Sequence, residues 1–560
     1  MRRRPALALI AAMTASIAAD ASNQTRTTAN PFSGDAGLMT AGEQQQANLA
    51  SLVIRRAPET GPVANVVGAK TLSNWQDHEV IIVPRDELEA VRALLKLHPD
   101  VRSVEVDSVV TPPDPEAAQA PSRTQALQTQ SGGANDPEYR YQNYWHSNDT
   151  YQGASDIMAA FEVSAMNEKL DIVVIDGGFA QHPDLDWAGG TDLVGDGRGP
   201  ISHDASSCEN YHGQSVASII GSITNNGDGM AGIVDANLYA ARALACDNTG
   251  HMSDVARAIR WAAGEDVGTG STLDEPADLI NLSLGASTAC SHSLQSAVDA
   301  ANEAGVTVVA SAGNNSDDAS EYAPAGCDGV LTVGAVTLAG NQASFSNYGD
   351  PVDLSALGQQ VRVQASDGYR WMNGTSFSAP IVTGILGLLK QDIPELKRSD
   401  LVDLALDSTT EFRATSEDIG EGVLNAPLLQ RNAASLFGRE GPGLHHAVGI
   451  RANSDSNAYW DHVNDEHLCA LYEFAANGQE RNADEEYVVF SVPEGAAMSV
   501  SNGNSEGSSP DPRFVLADMR PEGNDYGLQL CREGSPDACR DDDLIELHTN
   551  RMTPPGRCQP

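Results

Sequence analysis

Between residues 79 and 110 the apolar positions fall in three bursts. Glu79 to Val83 is a mostly apolar run and predicts a strand. Asp86 to Leu97 sets Leu88, Val91, Leu94 and Leu95 on one face at helical spacing. Val101 to Val110 predicts a second strand, so residues 76–112 read as a small α+β unit. Upstream, residues 22–75 are rich in Ala, Thr, Gln and Gly and show only weak periodicity. Downstream, residues 113–134 are rich in Pro, Ala, Gln, Ser and Thr and predict a linker, because that composition packs no core.

From 135 to 436 the pattern changes. Ile172–Ile175, Leu238–Leu244, Leu279–Leu282, Val306–Ala310 and Leu331–Val336 are short, almost continuously apolar runs. Helical patterns alternate with them at His212–Ile223, Val255–Ala263, Leu294–Ala304 and Phe377–Lys390. Apolar strands alternating with helices predict an α/β domain whose mainly parallel sheet is covered on both faces. Residues 437–560 turn polar, with a strand expected at Tyr487–Val492 and four cysteines, Cys469, Cys531, Cys539 and Cys558. They read as a small β-rich, disulfide-containing appendage.

The two ends of the composition sharpen this picture. Arg2 to Arg4, the apolar stretch Ala6–Ala19 and the Ala19-Asp20-Ala21 triplet have the layout of a secretory leader, giving residues 1–21 as a signal peptide. An exported chain meets an oxidising compartment, where its eight cysteines are expected to pair. The formal net charge is -43, and only five lysines occur. Such a polyanion repels nucleic acid and anionic membranes, so neither is expected as a partner.

Three segments carry candidate chemistry. Asp171-Ile-Val-Val-Ile-Asp176-Gly177-Gly178 is an apolar strand ending in a carboxylate, and active sites form at the carboxyl ends of parallel strands. Tyr211-His212-Gly213 opens an apolar helix, although His203, His251 and His292 are equally available by composition. Asn373-Gly374-Thr375-Ser376-Phe377-Ser378-Ala379-Pro380 puts Ser376 at a helix start, where N–H groups and the positive dipole end stabilise a developing oxyanion. Pro380 is expected to fall in the first turn, where its missing N–H matters little.

In the order Asp, His, Ser, these segments resemble the subtilisin-like serine peptidases, and the Gly-Thr-Ser-Phe-Ser-Ala-Pro run is highly specific for that family. The resemblance spans 135–436 and implies the subtilisin-like three-layer fold. It implies Ser376 as nucleophile, His212 as general base and acid, and Asp176 as its orienting carboxylate. Asn314, in Ala312-Gly313-Asn314, and the Ser376 N–H would hold the oxyanion. Ser283, Leu284 and Gly285 with Ser311, Ala312 and Gly313 would wall the substrate cleft.

The same resemblance implies that residues 22–134 are a pro-region acting as an intramolecular inhibitor of a self-processed zymogen. It implies disulfides Cys208–Cys246 and Cys290–Cys327. No cofactor is required for the chemistry; a structural calcium ion would have Asp184 among its ligands. The implied protein is a secreted monomer acting on proteins or peptides. The chain departs from the family after the histidine: Gln214, Ser215 and Ser218 stand where the family has Thr, His and Gly.

Overall fold

The computed structural model describes residues 40–112, 116–118, 134–148, 150–161, 164, 169–202, 211–365 and 368–437, and six strands between 449 and 548. The expected signal peptide, Cys208, Cys469 and the Tyr487–Val492 strand lie outside the described residues.

The N-terminal unit is larger than the hydrophobic pattern implied. It contains α1 (Ala41–Gln46), β1 (Leu49–Arg56), α2 (Ala64–Val67), β2 (Lys70–Trp75), β3 (His78–Pro84), α3 (Leu88–Lys96) and β4 (Val101–Asp107). The order β2-β3-β1-β4 makes an antiparallel split βαβ sheet. Its central strand is β1, in the stretch read as weakly periodic. That strand lies between β3 and β4 and is buried at nearly every position, so it shows no alternation. Leu52, Ile54, Ile81, Val91, Leu95 and Val104 form the unit's core.

The single strand expected over 101–110 is two. β4 ends at Asp107, and β5 (Val109–Val110) joins a different sheet. The break falls at Ser108, whose carbonyl accepts the N–H of Met252. A further short strand, β6 (Glu116–Ala117), lies inside the expected linker.

The large domain proceeds through α4 (Ile157–Phe161), β7 (Leu170–Gly177), β8 (Trp187–Asp192), α5 (His212–Gly221), β9 (Ala236–Leu244), β10 (Gly250–His251), α6 (Met252–Ala262), β11 (Leu279–Leu282), α7 (His292–Glu303), β12 (Thr307–Ser311), β13 (Leu331–Val336) and β14 (Leu354–Leu357). A hairpin, β15 (Val361–Ala365) and β16 (Gly368–Asn373), leads into α8 (Thr375–Asp392). Then follow α9 (Arg398–Leu406), β17 (Thr409–Thr410), β18 (Val423–Leu424) and α10 (Ala426–Phe437).

Strands β14-β13-β12-β11-β7-β9 run parallel, with antiparallel pairs only at the margins of the sheet. The mainly parallel α/β domain expected from the alternation is therefore present. All eight residues of β7 except Asp171 are buried, which explains its unbroken apolar run. Helix α8 is buried around its whole circumference and passes behind β11, β12, β13 and β14.

The second unit, described by itself, is a six-stranded antiparallel sheet: β19 (Gly449–Ala452), β20 (Ser456–Trp460), β21 (Ala497–Asn502), β22 (Arg513–Glu522), β23 (Asp525–Arg532) and β24 (Leu544–His548), in sequence order.

One half-buried carboxylate in the large domain costs stability. Asp353 accepts the N–H of Thr332 at 2.7 Å, yet burial lifts its pKa from 3.8 to about 6. A folded pKa above the unfolded one means that stability is fullest below pH 4 and is lost as pH climbs through about 6. Asp353→Asn keeps an acceptor and removes the charge. It should raise the melting temperature above pH 6, and this advantage should shrink as pH is lowered towards 4.

Candidate active site

β7, β11 and β12 end side by side, and their carboxyl ends carry Asp176, Ser283 and the Ala312-Gly313-Asn314 segment. This is the topological position at which open α/β sheets bind ligands.

Asp176 is fully buried. Its Oδ1 accepts the N–H of Gly177 at 2.7 Å, and its Oδ2 lies 2.9 Å from Nδ1 of His212. His212 is the first residue of α5 and 3% exposed. The carboxylate selects the tautomer with the proton on Nδ1, since an ionised carboxylate only accepts. Nε2 of His212 is buried and has no hydrogen-bond partner. The ring packs against Phe377 with centroids 5.8 Å apart. Of the other histidines available by composition, His251 lies 3.4 Å from Asp107, His292 lies 3.1 Å from Arg55, and His203 is outside the described residues.

Gly213 is required by close approach. A Cβ there would come within 2.5 Å of the Phe179 ring and 2.6 Å of the Gly177 carbonyl. Helix α5 thus sits directly on the strand end that holds Asp176.

Ser376 is fully buried at the second position of α8, after Gly374 with φ 150° as N-cap. Its N–H is among those that a helix start leaves without an intrahelical partner. The proline expected in the first turn is instead the sixth helical residue, because the helix begins at Thr375. Its missing N–H deprives the Ser376 carbonyl of its helical partner. Ser283 fills the gap, donating its Oγ–H to that carbonyl at 2.8 Å. Ser283 is in turn reached by the Asn281 Nδ2 at 3.0 Å, and Thr383 donates to Asn281 Oδ1 at 3.0 Å. Ser283, expected as a cleft wall, therefore also supports the backbone of Ser376.

Asn314 is held by Thr375, which sequence reasoning had not singled out. Its Oδ1 accepts both the N–H and the Oγ–H of Thr375, at 2.9 and 2.8 Å. The Thr375 hydroxyl accepts the Gly313 N–H at 3.1 Å. With its carbonyl so fixed, the amide NH₂ is oriented by elimination. A Cβ on Gly374 would lie 3.0 Å from that Nδ2, so glycine there keeps space for the amide. Asn347 closes the segment, donating to the Ala312 carbonyl at 2.9 Å and accepting the Asn315 and Asp317 N–H groups. The spacing Gly-Thr-Ser held the signal for Thr375, but only the fold shows whom it touches.

Leu284 and Ala312 are fully buried behind the walls, and Ser311 is 3% exposed. Gly285 exchanges two main-chain hydrogen bonds with Thr111, at 3.0 and 2.9 Å.

Asp184, implied as a calcium ligand by the resemblance, is buried beside the loop that holds Asn226. Its carboxylate accepts the Asn226 Nδ2–H at 2.8 Å and the Met230 N–H at 2.9 Å, so hydrogen-bond donors face it. Asp136, nearby, accepts the N–H groups of Asn225, Asn226 and Gly227. Among the described residues no three His, Cys, Asp or Glu side chains converge on a metal position. Desolvation raises the Asp184 pKa above its ordinary value, against the hydrogen bonds from Met230, Asn226 and Ser222, which lower it.

Cys290 and Cys327 are joined by a disulfide. Cys246 is disulfide-bonded as well, and its expected partner Cys208 lies outside the described residues.

Comparison with known proteins identifies the family. Residues 168–437 match the model of the subtilase family, a peptidase family. An extracellular protease of Xanthomonas campestris is 30% identical over 378 residues, 61% of each chain. Subtilisin BL of Lederbergia lenta is 34% identical over 263 residues, 46% of this chain and 90% of that one. A solved protease structure from Pseudoalteromonas arctica covers 54% of this chain and all of its own, at 29% identity and a TM-score of 0.49. The chain belongs to the subtilase family. It spans about three fifths of the length of the Xanthomonas protein.

Gly213→Ala should destabilise the fold by about 1–3 kcal/mol, the usual cost of forcing volume into a packed site. A denaturant midpoint unchanged from wild type would contradict the contact of α5 with the end of β7.

Proposed function

We propose that the protein is a secreted serine endopeptidase, made as a zymogen that its own active site processes. The observation that carries this reading is the buried His212, whose Nδ1–H is committed to Asp176 while Nε2 lacks a partner. Ser376 is the second residue of α8, and the His212 ring touches the residue that follows it, Phe377. A neutral imidazole so fixed is a base waiting for a proton, and the Ser376 Oγ–H is the donor its chemistry requires.

Ser376 Oγ attacks the scissile carbonyl as its proton passes to His212 Nε2. Asp176 stabilises the imidazolium so formed. The oxyanion is taken by the Ser376 N–H, strengthened by the dipole of α8, and by the Asn314 amide. His212 returns the proton to the leaving amine, and water releases the acyl group by the reverse path. No step calls for a cofactor. Substrates are proteins or peptides. The protein functions as a monomer, and it does so outside the cell, as supported by its likeness to an extracellular protease of Xanthomonas and by the leader-like N-terminus. Among the described residues no helix is long and apolar enough to cross a membrane.

The N-terminal unit acts as the inhibitor. Strand β4 supplies Glu105 and Asp107 to the starts of two helices in the large domain. Asp107 accepts the N–H and Oγ–H of Ser253 at 3.0 and 2.6 Å, capping α6, which has no side-chain cap of its own. Glu105 accepts the N–H and Oγ–H of Ser293 at 3.2 and 2.8 Å near the start of α7. The chain then pairs with His251 and Gly250 through β5, with Gly285 through Thr111, and with Met372 and Asn373 through β6. Thr111 thus pairs with Gly285, and Glu116 with the strand that leads into Ser376. These contacts with the site support a maturation cut within the linker 113–134.

Ser376→Ala should leave the precursor uncut in a host lacking other proteases, and wild-type protein should be labelled at Ser376 by diisopropyl fluorophosphate. A precursor processed normally despite the substitution contradicts self-processing; an unlabelled but folded wild type contradicts the peptidase reading.

Each cap is worth roughly 0.5–2 kcal/mol. Glu105→Ala with Asp107→Ala should therefore release the cleaved N-terminal unit about tenfold sooner or more, read as the lag before peptidase activity appears. An unchanged lag would place the inhibitory contacts elsewhere.

A further inference from the structure

We propose that Gln364 is a positioning residue that locks the helix carrying His212 to the hairpin that leads into Ser376, an inference resting on the serine peptidase reading. Gln364 lies in β15 and is fully buried, yet all four of its polar groups are used. Its N–H donates to Ser218 Oγ at 3.2 Å. Its main-chain carbonyl accepts from Ser215 Oγ. Its Oε1 accepts from Gln214 Nε2 at 3.0 Å. Its own Nε2 sits 2.7 Å from Nδ1 of His182, which also receives the Asp184 N–H at 3.1 Å. Ser218 Oγ donates to the Ser215 carbonyl at 2.7 Å, closing the set.

Three of these bonds fall on one helix. Gln214, Ser215 and Ser218 all belong to α5, whose first residue is His212. They are also the three positions at which this chain departs from its family after the histidine. Three independent departures converge on a single glutamine. On its other side Gln364 is tied through β15 to β16, pairing opposite Tyr369, and β16 runs without interruption into Gly374 and Ser376. Base and nucleophile come from segments more than 160 residues apart in the chain. The glutamine is the polar bolt between those segments.

The bolt acts on the reaction through alignment. Proton transfer needs Ser376 Oγ and His212 Nε2 within hydrogen-bond reach at the moment of attack, and a misplacement of about 1 Å can cost on the order of 10² in rate. Substrate binding along Gly285 and the cleft walls does not pass through Gln364. The network should therefore govern kcat and leave KM alone.

The test uses mature enzyme with Gln364→Leu, Gln214→Leu and the double variant. Steady-state hydrolysis of a peptide anilide is measured with the rate constant for phosphonylation by a fluorophosphonate, which loses fluoride on reaction with serine. Gln364→Leu should lower kcat about tenfold or more, with KM within about twofold, and slow phosphonylation by a similar factor. Adding Gln214→Leu should cost little further, because the two side chains share one bond. If Gln364→Leu does not fold, Ser218→Gly removes the bond to the Gln364 N–H and should still lower kcat severalfold. Lower melting temperatures with kcat and phosphonylation unchanged would overturn the proposal, as would a change confined to KM. A wild type that hydrolyses nothing and takes no label would overturn the peptidase reading beneath it, an outcome distinct from either.

Discussion

Everything in the site hangs on one buried hydrogen bond, Nδ1 of His212 to Oδ2 of Asp176 at 2.9 Å. An ionised carboxylate away from water is costly unless donors meet its oxygens. Here the donors are the Gly177 N–H and the imidazole. That requirement fixes the tautomer of His212, the approach of α5 to the end of β7, and the glycine at 213 that makes the approach possible. It leaves Nε2 as the one ring nitrogen aimed at chemistry.

The nucleophile's side of the site follows a similar logic, with a proline as the source of the constraint. Pro380 strips the Ser376 carbonyl of its helical hydrogen bond, and Ser283 answers from the end of β11. Thr375, next along the helix, anchors the amide of Asn314 from the end of β12. The start of α8 is thereby tied to two strand ends by paired groups that are buried or, for Asn314, partly buried. Such a site is preorganised: little has to move when charge develops on a substrate oxygen.

Much of the large domain was legible because its strands are buried on both faces and its helices are not short. β7, β11 and β13 match the apolar runs closely, and so does the Asp, His, Ser order. What escaped was of two kinds. β1 escaped because it buries polar residues, Ser51 and Arg56, among its apolar ones, so it shows neither alternation nor an unbroken apolar run. The roles of Thr375, Ser283 and Gln364 escaped because they are defined by partners 61, 93 and about 150 positions away. Local composition reports which groups are present, not which of them face each other.

The same account explains why the N-terminal unit and the large domain need each other's charges. Glu105 and Asp107 meet helix starts that offer N–H groups, and the acid-rich chain places negative charge where helix dipoles favour it.

The central claim is that Asp176 holds His212 as the Nδ1–H tautomer with Nε2 bare. Nitrogen-15 NMR of histidine-labelled protein tests it directly. The account predicts, near neutral pH, one histidine with a strongly deshielded, slowly exchanging proton on Nδ1 and an unprotonated Nε2, and loss of that signal in Asp176→Asn. A His212 resonance protonated on Nε2, or a deshielded proton that survives Asp176→Asn, would contradict it.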